Sequence, residues 1–125
     1  MNIIDHLSVG VPAIEAATAF YAPVLSALGV QQLAATEAFA AYGRDAVQFL
    51  VMKPENGAAS SSGNGTHICF AAETPGAVDR FHKAALENGG TCEGEPGHRS
   101  GAPGNPYGAY LRDPDGNKVC AFVAG

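Results

Sequence analysis

Two stretches of the chain carry the same order of elements, and this internal repetition constrains the fold more than any other feature of the sequence. Sliding the chain along itself from position 6 to position 67, a shift of 61 residues, superimposes His6 on His67, Phe20 on Phe81 and Gly29 on Gly90. Three identities alone carry little weight. They gain it by falling at matching places in a shared succession of strand, helix, helix stop and further strands.

In the first half, residues 3 to 9 alternate as a strand does. Ile3, Leu7 and Val9 point one way, while Ile4, His6 and Ser8 point the other. From residue 13 to about 28 the period changes, and Ile14, Ala17, Tyr21, Val24, Leu25 and Leu28 fall on one helical face, with Gly29 as the stop. Pro23 lies inside this segment, where it removes a helix hydrogen bond at a cost of about 3 kcal/mol, so a break near Ala22 is expected. Strands are expected at about 30 to 36, 38 to 42 and 46 to 52, with Gly43, Arg44 and Asp45 as the turn before the last. Residues 54 to 64 are small and polar and read as a flexible linker between a module of about 1–53 and one of about 65–125.

The second half repeats the order. Residues 66 to 72 form a strand with His67, Cys69 and Ala71 on one face. A helix over 75 to 88 follows, with Thr74 as its N-cap, Pro75 in its first turn, and Val78, Phe81, His82, Ala85 and Leu86 as its buried stripe. Gly89 and Gly90 end it. A strand near 91 to 95, a loop over 96 to 106 and a hairpin pairing 107–112 with 118–123 around Asp-Pro-Asp-Gly complete the chain.

At 125 residues, with 46% hydrophobic and 15% charged residues, the chain suits one folded domain. A net charge of −5 argues against nucleic acid as a partner. The beginning Met-Asn-Ile-Ile-Asp-His has no basic leader region, and no apolar run approaches the roughly 20 residues a membrane span needs, so a cytoplasmic protein is expected. Cys69, Cys92 and Cys120 are odd in number and lack CxxC spacing, which suggests free thiols.

Ile-Asp-His-Leu-Ser-Val at 4–9, Gly-Thr-His-Ile-Cys-Phe at 65–70 and Asp-Pro-Asp-Gly-Asn-Lys-Val at 113–119 resemble the three signature segments of the vicinal oxygen chelate superfamily. That superfamily includes glyoxalases, bleomycin-resistance proteins and extradiol dioxygenases. The resemblance implies an α+β fold of two tandem βαβββ modules, whose curved sheet encloses a central cleft. It also implies a homodimer and a small-molecule ligand.

In glyoxalase-like members the first and last strands of each module supply His, Glu, His and Glu to a metal. Carried over, these positions fall on His6, Phe49 (with Gln48 one residue away), His67 and Cys120. Both carboxylates are replaced. Magnesium or manganese, which prefer oxygen ligands, and the ferrous triad of the dioxygenases therefore lose their support. His6, His67 and Cys120 suit zinc with a fourth position open; the other reading is a site with no metal. Glu37, Glu55, Glu93 and Glu95 fall on strand edges, linker or loop, and none is placed to replace the missing base.

Phe49, Tyr107 and Arg112 are candidates for contacting a ligand: an apolar wall, a cleft aromatic and an anion partner, respectively. Each also has a structural reading, as core or turn residue. His6 and His67 are equally readable as hydrogen-bonded remnants, Cys120 and Cys69 as packing, and His82 as a structural histidine. His98 and Arg99 read as loop residues, with ligand gating as the other reading. Three functions remain open on this basis: a metal-dependent lyase or isomerase acting on a small oxygenated or thiol-conjugated molecule, a metal-free protein that sequesters a small molecule, and an interaction module with a filled cleft.

Overall fold

The computed structural model describes residues 3–124. The elements run β1 (Leu7–Gly10), α1 (Ile14–Ser26), β2 (Gln31–Ala35), β3 (Phe39–Gly43), β4 (Phe49–Met52), β5 (Ile68–Ala71), α2 (Pro75–Glu87), β6 (Thr91–His98), β7 (Tyr107–Arg112) and β8 (Lys118–Val123). They form two four-stranded sheets in the orders β1-β4-β3-β2 and β5-β8-β7-β6. In each sheet the first and last strands of the module are parallel neighbours, and the remaining pairs are antiparallel. The architecture is thus two tandem βαβββ modules with curved, unclosed sheets. Among the described residues no helix is long and apolar enough to cross a membrane.

Helix α1 runs through Pro23 without the break expected near Ala22. Tyr21, Val24 and Leu25, on either side of the proline, are at most 1% exposed. Burying them is worth roughly 1.5–3 kcal/mol each, which outweighs a proline cost of about 3 kcal/mol. Helix α2 begins as expected, with the Thr74 side chain accepting the Ala77 N–H at 3.1 Å. Its stripe is narrower than expected, since Leu86 is exposed.

The repetition holds through strand and helix and then slips by one residue at the helix stop. Gly29 adopts φ +73° while Val30 N–H reaches the Leu25 carbonyl; in α2 the left-handed residue is Gly89, and Gly90 N–H reaches the Ala85 carbonyl. Gly90 therefore does not match Gly29 as a stop. A Cβ there would lie 2.9 Å from both the Ala85 carbonyl and the Phe20 ring, so its role is to let the two modules approach each other.

Strand β6 continues to His98, past the expected end near Glu95. Its pairing with β7 slips between Cys92 and Gly94 and again between Gly94 and Gly97, and Pro96 sits within the second irregularity, where a missing N–H is tolerated. The segment joining the modules is less loose than its composition suggests. A Cβ on Gly10 would meet the Ser60 Cβ at 3.3 Å, and one on Gly116 the Ser62 Cβ at 3.7 Å.

A buried carboxylate ties the modules together. Asp113, 3% exposed, accepts the Tyr21 hydroxyl at 2.6 Å, the Asn117 side-chain amide at 2.9 Å, and the backbone N–H groups of Asp115 and Asn117, both at 2.9 Å. Asn117 also donates to the Gly10 carbonyl at 3.1 Å. The turn of the second module is therefore bonded to both the helix and the first strand of the first. Replacing Asp113 by Ala orphans several buried donors and should cost about 3 kcal/mol or more, whereas Tyr21→Phe should cost about 1.5–3 kcal/mol. Urea unfolding of each variant measures this. A loss below about 0.5 kcal/mol for Asp113→Ala, the scale of an ordinary surface change, would contradict the arrangement.

Candidate functional site

Strand alternation divides each sheet into a helix-covered face and an open one. Val51, Ile68 and Val119 are buried in the core, so their neighbours Leu50, Cys69 and Cys120 point the other way. His6 and His67 each stand one residue before the first strand of their module. The His6 imidazole is exposed and lies 2.7 Å from an Asp5 carboxylate oxygen. His67 is exposed too, with its ring edge-on to Tyr110 at 6.1 Å.

The register determines what faces these histidines. Leu7 pairs with Phe49 and Ile68 with Val119, so the residues level with His6 and His67 on the neighbouring strands are Gln48 and Lys118. Phe49 shares the core-facing side of β4 with Val51. It is 3% exposed and packs its ring against Tyr21 and Phe70, each at 5.1 Å, and Tyr42 at 6.3 Å. By register the counterpart of Cys120 in the first module is Leu50.

Cys120 is buried and pairs in register with Cys69. The adjoining Cys120 thiol pulls Cys69 below the usual thiol range. The Cys69 thiol beside it, together with burial, holds Cys120 well above that range. The Tyr110 ring nearby carries Lys118 Nζ at 5.2 Å and the Arg99 guanidinium at 5.7 Å, which gives this open face a cationic character.

A cleft of about 410 Å³ lies where β1 and β4 approach β5. Leu7, Phe49, Ile68 and Phe70 make it largely apolar, and Gln48 and Cys69 add polar groups. Arg44 closes one end, donating to the Leu28 carbonyl at 2.7 Å and the Ala71 carbonyl at 3.2 Å. Phe49 thus serves as both core residue and cleft wall. Tyr107 and Arg112 are engaged elsewhere: the Tyr107 hydroxyl donates to Asp79 on α2 at 2.6 Å, and Arg112 binds Glu93 at 2.9 Å and the Gly116 carbonyl at 2.8 Å. His98 lies 3.2 Å from the Asn105 carbonyl and packs on Tyr107.

The donor atoms of His6, His67 and Cys120 do not come together as a group. Among the described residues, the set of three His, Cys, Asp or Glu donors lying within 4.8 Å of one another is His82, Cys92 and Glu95. In the sequence His82 reads as a structural histidine and Glu95 as the end of a strand. Their convergence depends on the irregular pairing of β6, which no residue pattern announces. Arg44 was read only as a turn residue, and its clamp on two carbonyls of different modules left no sequence signal either.

The family model of the Glyoxalase/Bleomycin resistance protein/Dioxygenase superfamily matches residues 3–121. A glyoxalase/bleomycin resistance protein from Albidiferax ferrireducens T118 is 43% identical, with a TM-score of 0.92 over 98% of this chain and 99% of that one. At 22% identity, a glyoxalase/bleomycin resistance protein/dioxygenase family enzyme from Burkholderia phytofirmans PsJN has a TM-score of 0.74 over 96% of this chain and 97% of its own. A lactoylglutathione lyase from Agrobacterium tumefaciens, also 22% identical, has a TM-score of 0.64 over 98% and 94%. These last two share the fold. No curated protein matches the chain.

Because Cys69 is shifted down by its partner, its thiolate should form at lower pH than an ordinary thiol, and its alkylation by iodoacetamide should accelerate correspondingly early as pH rises. Cys120→Ala should move the midpoint of that rate profile upward. An unchanged midpoint would show that the two thiols do not share a proton.

Proposed function

The chain belongs to the Glyoxalase/Bleomycin resistance protein/Dioxygenase superfamily, and on that premise we propose that it binds and sequesters a small, mostly apolar molecule in the cleft between its modules, without metal-assisted chemistry there. The observation that carries this reading is the pair of residues level with the two histidines. Gln48 and Lys118 stand there, an amide and an ammonium, while the mapped carboxylate positions hold Phe49 and Cys120. A divalent ion preferring oxygen ligands finds no anionic donor at either, and Lys118 repels it. The donors on the open faces lack the superfamily's two strand carboxylates, and the one carboxylate beside them, that of Asp5, is exposed and already paired with His6.

The cleft supplies what a binding protein needs. Its apolar walls provide affinity through burial, and the Gln48 amide and the Cys69 thiol provide a few directional contacts. A ligand with an anionic end would gain from Lys118 and Arg99 around Tyr110 on the adjoining open face.

A second reading keeps His6 and His67 as ligands of a zinc site completed by Cys120. It is supported by the matching places of the two imidazoles before β1 and β5. Zinc affinity that falls after His6→Ala and His67→Ala together would favour it over the binding reading.

Two measurements test the proposal. With nickel or zinc added, conversion of the methylglyoxal–glutathione adduct should stay at background; turnover in the usual enzyme range of roughly 1–1,000 per second would refute the reading. The apolar fluorophore anilinonaphthalene sulfonate should bind the folded protein. Leu7, partly exposed and on the cleft wall, can be changed to Asn to make that wall polar. That change should weaken fluorophore binding by about 1 kcal/mol, roughly fivefold. Unaltered binding would place the ligand site elsewhere.

A further inference from the structure

We propose that His82, Cys92 and Glu95 form a binding site for zinc or a similar thiophilic divalent ion, on the helix-covered side of the second sheet and separate from the cleft. His82 Nε2 lies 3.2 Å from Cys92 Sγ, and Cys92 Sγ lies 3.4 Å from a Glu95 carboxylate oxygen. A tetrahedral zinc ion bound at about 2.3 Å to sulfur and 2.0–2.2 Å to nitrogen and oxygen sets such donors roughly 3.5 Å apart. The three side chains therefore need only small adjustments to accept the ion.

The backbone explains how they meet. His82 lies on the buried side of α2, 4% exposed, and Cys92 pairs with Leu111, whose side chain is in the core, so the thiol is turned toward the helix. In a regular strand Cys92 and Glu95, three residues apart, would point to opposite faces. The pairing slips between Cys92 and Gly94 and between Gly94 and Gly97, and the bulged stretch turns Glu95 back to the side of the thiol. The site draws on a helix and a bulged strand, so an ion there fastens α2 to β6.

Burial grades from His82 through the partly buried Cys92 to the exposed Glu95. The ion thus has a path in from solvent and a fourth position open to water. One imidazole, one thiolate and one carboxylate form a borderline donor set, which selects zinc or cobalt and disfavours magnesium.

Cobalt titration of the full-length protein tests the site, because cobalt replaces zinc in tetrahedral sites and reports its ligands in the absorption spectrum. The wild type should develop the visible bands of tetrahedral cobalt and a sulfur-to-metal charge-transfer band, and zinc should bleach both. Cys92→Ser should remove the charge-transfer band. Glu95→Gln, an exposed change that spares the fold, should weaken binding at least tenfold, the scale on which even supporting groups alter metal affinity. His6→Ala and Cys69→Ser should leave the spectrum intact. A wild type without these bands would overturn the proposal, as would bands that survive both Cys92→Ser and Glu95→Gln. Should Cys92→Ser fail to fold, Glu95→Gln alone decides between the outcomes.

Discussion

The fold is held in one arrangement by a single buried carboxylate. Asp113 gathers four donors, of which the Tyr21 hydroxyl comes from the first module and the Asn117 amide reaches on to the Gly10 carbonyl. A carboxylate taken out of water is costly unless its lone pairs are filled; here three donors come from the β7–β8 turn itself and the fourth from Tyr21 on α1, while Asn117 carries the turn on to the Gly10 carbonyl at the end of β1. Proline and glycine set the path of the turn, as the sequence suggests. The aspartate before them sets where the turn docks.

The cleft follows from this lock. With the end of β1 bonded to Asn117 and Arg44 clamping the Leu28 and Ala71 carbonyls, the edges of the two modules are held on either side of an apolar space. Phe49 and Phe70 meet edge to face at 5.1 Å, continuous with the core on one side and open to the cleft on the other. Catalysis of the glyoxalase kind asks for charged, mobile groups at that point. Beside Asp5 and Arg44 the cleft wall is made of packed rings, aliphatic side chains and an amide, on which the proposed recognition by shape and burial rests.

How much of this was legible in the sequence depended on the range of the interaction. The helices, their apolar stripes and the Thr74 cap are local, and their patterns were readable. The break at Pro23 was misjudged because local strain was outweighed by tertiary burial of Tyr21, Val24 and Leu25. The repeat located both histidines before equivalent strands, yet it also matched Gly29 with Gly90, where a one-residue slip gives the stop to Gly89. For the last strand of the first module, the resemblance pairs Phe49 with His6, whereas the register puts Gln48 level with it. A shift of one residue exchanges the two faces of a strand, and nothing in the sequence fixes register that closely. The meeting of His82, Cys92 and Glu95 was invisible for a related reason: it requires a bulge in β6.

With the proposed ligand cleft and the proposed zinc site on different faces, two properties that the superfamily usually joins are separated. Crystals of the wild-type protein grown with excess zinc, with diffraction recorded on both sides of the zinc absorption edge, test that separation most directly. The expected anomalous density is a peak between His82 Nε2, Cys92 Sγ and the Glu95 carboxylate, with none shared by His6 and His67. A zinc peak bound by His6 and His67, with Cys120 or water completing it, would contradict the account and return the metal to the cleft.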